Sequence, residues 1–375
     1  MIEDKGCYLV FLIFIGLLII FFYYKYQQKE YNEYGNEENG NEENGNEENC
    51  NEENGNEENG NEENCNEENG NEENGKEENG KEENGKEENS NEENSNEEIA
   101  LYDRLRTIKS SNFELKDSYN SVIPLNIYLT WSIKKLPPKM QENVDRMRKG
   151  NPEFNIQIFD CDERREFIKN NFPEDILIAY DTLKPGAYKA DLWRLCILYI
   201  NGGIYIDIKF NCINNFKFIA FTEREHLLLD QPGFWKKGEI GLANGIIVAK
   251  PKNDLLLRCI NKINENVKNK YYGFNNLYPS GPGLLGEQYG KWLYIKMIKE
   301  NKSTIEAELD KLDICMVYEF NVWKIIFNNV AILEHYKEYR EEQKLFAKTL
   351  SYGALYELKQ IYNEISAPSE ENTRN

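Results

Sequence analysis

The sequence predicts an α/β domain with a mostly parallel sheet and helices on both faces. Two observations carry that prediction. From about Val122 onward, strand-like runs alternate with helix-like runs, the order that a crossover-connected sheet requires. Within that order, Lys184–Lys209 (KPGAYKADLWRLCILYINGGIYIDIK) reads as a buried helix, a double-glycine turn and a strand that carries an acid near its end.

The elements follow in order. Ile123 to Trp131 reads as a first strand, and Pro137-Pro138 opens a helix running through Arg148, because proline suits the first helical turn. Asn155–Phe159 reads as a second strand, and Asp162–Asn171 as a helix with Asp162 as its cap. Next comes the Lys184–Lys209 unit. Further strands are expected at 226–230 and 244–249, and a helix from Asp254 to about Lys270. Tyr278-Pro-Ser-Gly-Pro-Gly283 reads as a rigid loop before a helix starting near Leu284.

The helix over Ala187–Tyr199 is apolar on nearly every face, which marks a helix buried in a sizeable core. Asp191 and Arg194 interrupt it. Three residues apart, they share a face and can pair. Buried charges are costly without partners, and an ion pair gains little over apolar packing, so the pair reads as structural or functional. Beyond Asn201-Gly202-Gly203, period-two alternation sends Ile204, Ile206 and Ile208 to one face and Tyr205, Asp207 and Lys209 to the other. That second face is either a solvated edge or a site. In such sheets ligands bind beyond the carboxyl ends of strands, where Thr130, Trp131 and Asp207 fall.

The N-terminal third has a different character. Tyr8–Tyr24 is apolar and uncharged; at 1.5 Å per residue it covers ~25 Å, enough to predict a single transmembrane anchor. Residues 36–95 repeat the pentad NEENG with few replacements. Its period matches neither helix nor strand and it has no apolar residues, so it is expected to be a disordered spacer. The repeat holds 24 Glu against 3 Lys, a charge of −21, equal to the formal net charge of the whole chain. The remainder sums to zero, and no basic patch argues for a nucleic-acid partner. Eight cysteines without a CxxC pair and only His226 and His335 speak against zinc, a histidine-based metal site and a Ser-His-Asp triad.

Trp131 after a first strand, then KADLWR, then GGIYIDIK, then a GPG loop, together resemble the glycosyltransferases with a DXD sugar-binding region. That family includes initiating α-1,6-mannosyltransferases, α-1,4-galactosyl- and N-acetylglucosaminyltransferases and capsular polysaccharide synthesis proteins. The resemblance runs from about Ile123 to Asn363. It implies a GT-A-type, Rossmann-like domain that moves a hexose from a GDP- or UDP-sugar to a glycan or glycoprotein acceptor with retention of configuration. A catalytically weak or inactive relative that binds the nucleotide-sugar or a glycan is the alternative.

Carried onto this chain, the resemblance makes Asp191, Arg194 and Asp207 the catalytic residues. Thr130, Trp131, Tyr205, Lys209, Gly281 and Pro282 join them around the donor. Asp207 takes the place of the first DXD acid and would be the metal ligand. Lys209 stands where the second acid is usual. Ser351 and Tyr356, in SYGALYELKQIYN, stand where the family often has histidine and tryptophan. The changes at 209 and 351 remove potential ligands for a divalent cation such as manganese, and Lys209 is expected to compensate in part as a point charge.

The organisation expected is a tail (1–7), an anchor (8–24), a juxtamembrane stretch (25–35), the repeat stalk (36–98), a linker (99–121), the glycosyltransferase domain (122–365) and a disordered tail (366–375). With the anchor goes a single-pass location, endomembrane of the Golgi or ER type with the C-terminal domain lumenal. The oligomeric state is not legible.

Overall fold

The computed structural model describes residues 112–230, 241–300, 307–319, 322–346 and 350–363. The expected anchor at 8–24, the repeat and the C-terminal tail lie outside them. Among the described residues no helix is long and apolar enough to cross a membrane. The membrane-anchored, single-pass reading therefore finds no support and is withdrawn, together with the membrane partner and the endomembrane location. The error arose from treating an apolar run that barely reaches bilayer length as sufficient evidence by itself.

The described helices are α1 (Pro138–Gly150), α2 (Cys161–Asn171), α3 (Glu174–Thr182), α4 (Gly186–Asn201), α5 (Asp254–Lys268), α6 (Pro282–Lys299), α7 (Tyr339–Phe346) and α8 (Tyr352–Glu357). The strands are β1 (Asn126–Thr130), β2 (Asn155–Phe159), β3 (Gly203–Ile206), β4 (Phe210–Cys212), β5 (His226–Leu229), β6 (Leu242–Ala249), β7 (Ile314–Glu319), β8 (Val322–Phe327) and β9 (Val330–His335). They form one sheet in the order β2-β1-β3-β6-β5-β7-β8-β9-β4.

The sheet is mixed, not mostly parallel. β1 runs parallel to β2 and β3, and β5 to β7, but the other five pairings are antiparallel. The physical reason lies in the connections. Helical crossovers join the N-terminal strands. By contrast, β8 and β9 are joined by Asn328-Asn329, both at positive φ (49° and 61°), the geometry of a tight hairpin turn. Asparagine tolerates it better than most residues.

Local chemistry explains the elements around the site. α1 starts at a proline pair as expected. α2 is capped by Asp160, not Asp162: its carboxylate accepts from Glu163 N at 2.9 Å, and Asp160 N donates to Glu163 Oε2 at 3.1 Å. The three-residue spacing of a capping box was present in the sequence and favours Asp160. α4 ends at Gly202, whose N–H donates to Leu198 O at 2.8 Å and whose φ is +62°. Gly203 follows at φ +114°, so close to β1 that an added Cβ would stand 2.7 Å from Asn126 O.

Two buried clusters line the two faces of the sheet. Ile204, Ile206 and Ile208 join Ile127, Leu129 and the α1 residues Met140 and Val144 in one. Tyr205 joins Leu192, Trp193, Leu195 and residues of α5 and α6 in the other. The predicted alternation thus holds, although the strand itself stops at Ile206. A turn begins at Asp207, whose carbonyl accepts from Phe210 N at 3.1 Å.

That turn shapes the whole sheet. Only Asp207–Lys209 separate β3 from β4, so the chain can move at most roughly 14 Å between them. Yet five strands lie between β3 and β4 in the sheet order, a flat width of about 29 Å at the usual strand spacing. The sheet must curl until its far edge returns to the end of β3. Consequently β9, far away in sequence, closes on Asp207–Lys209: Tyr336 N donates to Lys209 O at 3.0 Å, and Phe210 pairs with His335.

Candidate active site

α4 carries Asp191 and Arg194 on one face, pointing at the end of β3. Both are 7% exposed, so each needs partners, and each has them. Asp191 Oδ1 accepts from Asn244 Nδ2 at 3.2 Å and Oδ2 from Ser280 Oγ at 2.9 Å. Arg194 Nη2 lies 3.3 Å from Asp191 Oδ1. Its Nη1 donates to Asn244 O at 2.6 Å, its Nε donates to Ala190 O at 3.2 Å, and its guanidinium stacks 4.4 Å from the Tyr205 ring centroid.

Asp207 completes the cluster. Its Oδ1 accepts from the Tyr205 hydroxyl at 2.8 Å and lies 3.6 Å from Arg194 Nη1. Its Oδ2 is 2.8 Å from Lys209 Nζ. The main chain backs the arrangement: Asp207 N donates to Gly245 O at 2.9 Å.

The two acids sit in different fields. Burial pushes the Asp191 carboxyl up to about 6, although Arg194, Asn244 and Ser280 oppose the rise and the nearby Asp207 adds to it. Burial would raise Asp207 too, but Lys209 and Arg194 outweigh it and hold that carboxyl below the usual range. Burial also drives the Tyr205 phenol well above its ordinary value, so it stays protonated and able to donate. The result is one permanent carboxylate beside one that titrates near neutrality.

The remaining expected residues are distributed as follows. Continuing the β1–β3 register by two residues puts Thr130 level with Asp207. Its hydroxyl is engaged with Phe159 O at 2.7 Å. Trp131 follows, its Nε1 buried without a hydrogen-bond partner. Gly281 borders Asp191: an added Cβ there would stand 3.4 Å from Asp191 Oδ2 and 3.1 Å from Leu277 O. Pro282 opens α6 behind it. Ser351 caps α8, accepting from Ala354 N at 3.2 Å. Tyr356 is buried and its hydroxyl donates to Gly273 O at 3.2 Å.

Sequence reasoning missed four contributors. Asn244 and Gly245 come from β6, where a buried asparagine and a glycine interrupt an apolar strand (LANGIIVA). That interruption was a readable signal of close backbone approach. Ser280 lay inside the expected loop but had no visible partner. His335 gave no signal: only the curl of the sheet brings it to Phe210, with ring centroids 5.2 Å apart. Its Nε2 is buried without a partner. Burial, reinforced by Lys209 and Arg340, pulls the His335 pKa down to about 3, so the ring is neutral at ordinary pH.

A DXD site implies a divalent cation, which requires a set of free oxygen or nitrogen ligands. The donor set here does not fit one. Both Asp207 oxygens are engaged by the chain's own donors and cations. The second acid is Lys209, and Ser351 serves as a helix cap. Among the described residues no cluster of three or more His, Cys, Asp or Glu is placed to hold a metal.

The family profile described as "Glycosyltransferase sugar-binding region containing DXD motif" matches residues 137–227, which include α4, the double-glycine turn and Asp207. An uncharacterized glycosyltransferase, L373, of Acanthamoeba polyphaga mimivirus is 36% identical over 25% of this chain and 38% of its own length. Inositol phosphoceramide mannosyltransferase 3 of Schizosaccharomyces pombe is 23% identical over 51% of each chain. Mannosyl phosphorylinositol ceramide synthase CSH1 of Saccharomyces cerevisiae is 24% identical over 51% of this chain and 49% of its own. The chain thus spans about half, or less, of the length of these relatives. Residues 137–227 thus match the sugar-binding region of DXD-containing glycosyltransferases, within a GT-A-like α/β fold, and the likeness to fungal and viral glycosyltransferases is distant.

Proposed function

We propose that the protein transfers a hexosyl group from a nucleoside-diphosphate sugar to a hydroxyl of a glycan or glycoconjugate acceptor, with retention of configuration. The observation that carries this reading is the convergence of Asp191, Arg194 and Asp207 on one point at the carboxyl end of β3, within the region matched by the family profile. Two buried charged groups and a partly buried third, all with fixed partners, cost more than apolar packing would, so a binding role accounts for their cost.

In this reading Asp191 accepts hydrogen bonds from donor-sugar hydroxyls, and Arg194 and Lys209 face the diphosphate. Thr130 and Trp131 flank the nucleotide, with Gly281 and Pro282 at the sugar's border. The bond between the anomeric carbon and the diphosphate oxygen breaks, and its electron pair leaves with that oxygen. The acceptor hydroxyl oxygen forms the new bond on the same face, and its proton passes to the departing diphosphate. Fixed positive charge at the leaving group favours this step because charge develops there in the transition state.

The test is a panel of UDP- and GDP-sugars with the full-length protein, following release of the nucleoside diphosphate. Turnover of one donor, abolished in Asp207→Ala, is the expected result. The mannosyl donor comes first, because two of the relatives above are named for mannosyl transfer. Undiminished turnover by Asp207→Ala would refute the site. Donor binding without turnover would favour a binding protein over an enzyme.

A further inference from the structure

We infer that this site carries its cation in the chain itself: Lys209, tethered by Asp207 and seconded by Arg340, neutralises the donor diphosphate in place of a divalent metal. The inference rests on the transferase reading above and concerns what balances charge within it.

The geometry begins with Asp207. In a metal site a first acid offers its oxygens to the ion. Here Oδ1 accepts from Tyr205 and faces Arg194, and Oδ2 faces the Lys209 ammonium at 2.8 Å. The ammonium thus engages an oxygen that a first acid would offer to an ion. Lys209 is tied down on its other flanks as well. Its carbonyl accepts from Tyr336 N at 3.0 Å, and its ammonium lies 5.4 Å from the Phe210 ring centroid. The side chain is only 24% exposed. A lysine held this way loses much of the rotamer freedom that normally weakens a surface ion pair.

A run of edge-to-face ring contacts leads from Lys209 to a second cation. Phe210 contacts His335 at 5.2 Å, His335 contacts Tyr339 at 6.0 Å, and the Arg340 guanidinium lies 5.6 Å from the Tyr339 ring. Through these ring contacts Arg340 is linked to the closure that joins β9 to Lys209. It is exposed, with Nη1 donating to Gln343 at 2.9 Å, so it can swing to a phosphate at little cost. The two cations complement each other chemically: a compact ammonium fixed at the base, and a fork that reads phosphate oxygens at the rim.

Asp207 changes role in consequence. It positions Lys209 and Arg194 and does not ligate an ion. Placing an acid at 209 should therefore create a metal site where none now exists, because two carboxylates would flank the diphosphate with no resident ammonium.

The experiment measures binding of UDP and GDP by calorimetry to the full-length protein, in chelator and in manganese, alongside manganese binding by electron paramagnetic resonance. Wild type should bind its nucleoside diphosphate equally well in both conditions. Lys209→Met should weaken binding about tenfold in both conditions, and Arg340→Ala by about threefold to tenfold. Lys209→Arg should retain most of the affinity. Lys209→Asp should bind the nucleotide only with manganese and give a bound-manganese signal that wild type lacks. Wild-type binding that requires manganese would overturn the inference while leaving the transferase reading intact. No binding of either nucleotide in either condition would overturn the transferase reading, and this inference with it. Circular dichroism of each variant separates lost binding from lost folding.

Discussion

Arg194 donates to the main-chain oxygen of Asn244 at 2.6 Å, tying the site helix α4 to the antiparallel strand β6. The bond uses Nη1, which also lies 3.6 Å from Asp207 Oδ1, while Nε and Nη2 reach Ala190 and Asp191 and the guanidinium lies over the Tyr205 ring. Arg194→Lys keeps the charge but has one nitrogen for these tasks. Breaking such a buried arrangement should cost about 3 kcal/mol of stability and lower kcat/KM by about a hundredfold. Urea denaturation and steady-state kinetics check the two effects separately. A loss of stability alone would assign Arg194 to the scaffold.

Asp191 makes a pH prediction. Its folded-state carboxyl is raised from 3.8 to about 6, first by burial. The native state therefore holds this proton more tightly than the unfolded chain does. The contribution to stability is largest below the unfolded value and declines as pH rises from about 4 to about 6. Activity should move the other way. In the proposed sugar-binding role the ionised form of Asp191 is the better acceptor, so kcat/KM should rise with pH to a plateau above about 6. Asp191→Asn should lower activity and lose that acid limb. A limb that persists unchanged in Asp191→Asn would assign it to another group.

Gly245 tests how tightly Asp207 must be placed. A methyl group there would meet Asp207 Oδ2 and the Phe210 ring, each at 3.3 Å. The backbone φ is not in the left-handed region, so Gly245→Ala should fold. The carboxylate must shift by a few tenths of an ångström, and turnover should fall about tenfold with little change in melting temperature. Comparing kcat with thermal unfolding decides whether the effect is positional.

Gly203 makes the opposite prediction. At φ +114° an alanine is strained, and its Cβ would stand 2.7 Å from Asn126 O, a main-chain atom that cannot rotate aside. Gly203→Ala should cost about 3 kcal/mol or more. Chemical denaturation should show a lower midpoint whether or not a donor is present.

Much of the core unit was legible because its signals are local. An apolar helix, a double glycine and an alternating strand all lie within 26 consecutive residues. Their order alone places Asp191, Arg194 and Asp207 near one strand end. The helix cap was misassigned to Asp162; the spacing from Asp160 to Glu163 carried the signal that the structure bears out. The membrane expectation shows the reverse. An apolar run was read as a span on composition alone, and among the described residues no spanning helix supports it.

What the sequence determined by itself is the chemistry available: which charges sit on the buried helix, where the glycines permit the chain to turn, and that the usual second acid is a lysine. Only the tertiary structure decided how those groups are used. A three-residue turn joins a central strand to the far edge of the sheet. The sheet must curl to satisfy it, and the curl brings Tyr336 N to Lys209 O and His335 to Phe210. No local period encodes such a closure, because the pairing of β4 with β9 follows from chain connectivity acting across more than a hundred residues. The same closure fixes the Lys209 main chain through Tyr336, and the Lys209 ammonium lies 2.8 Å from Asp207, where its charge bears on the site.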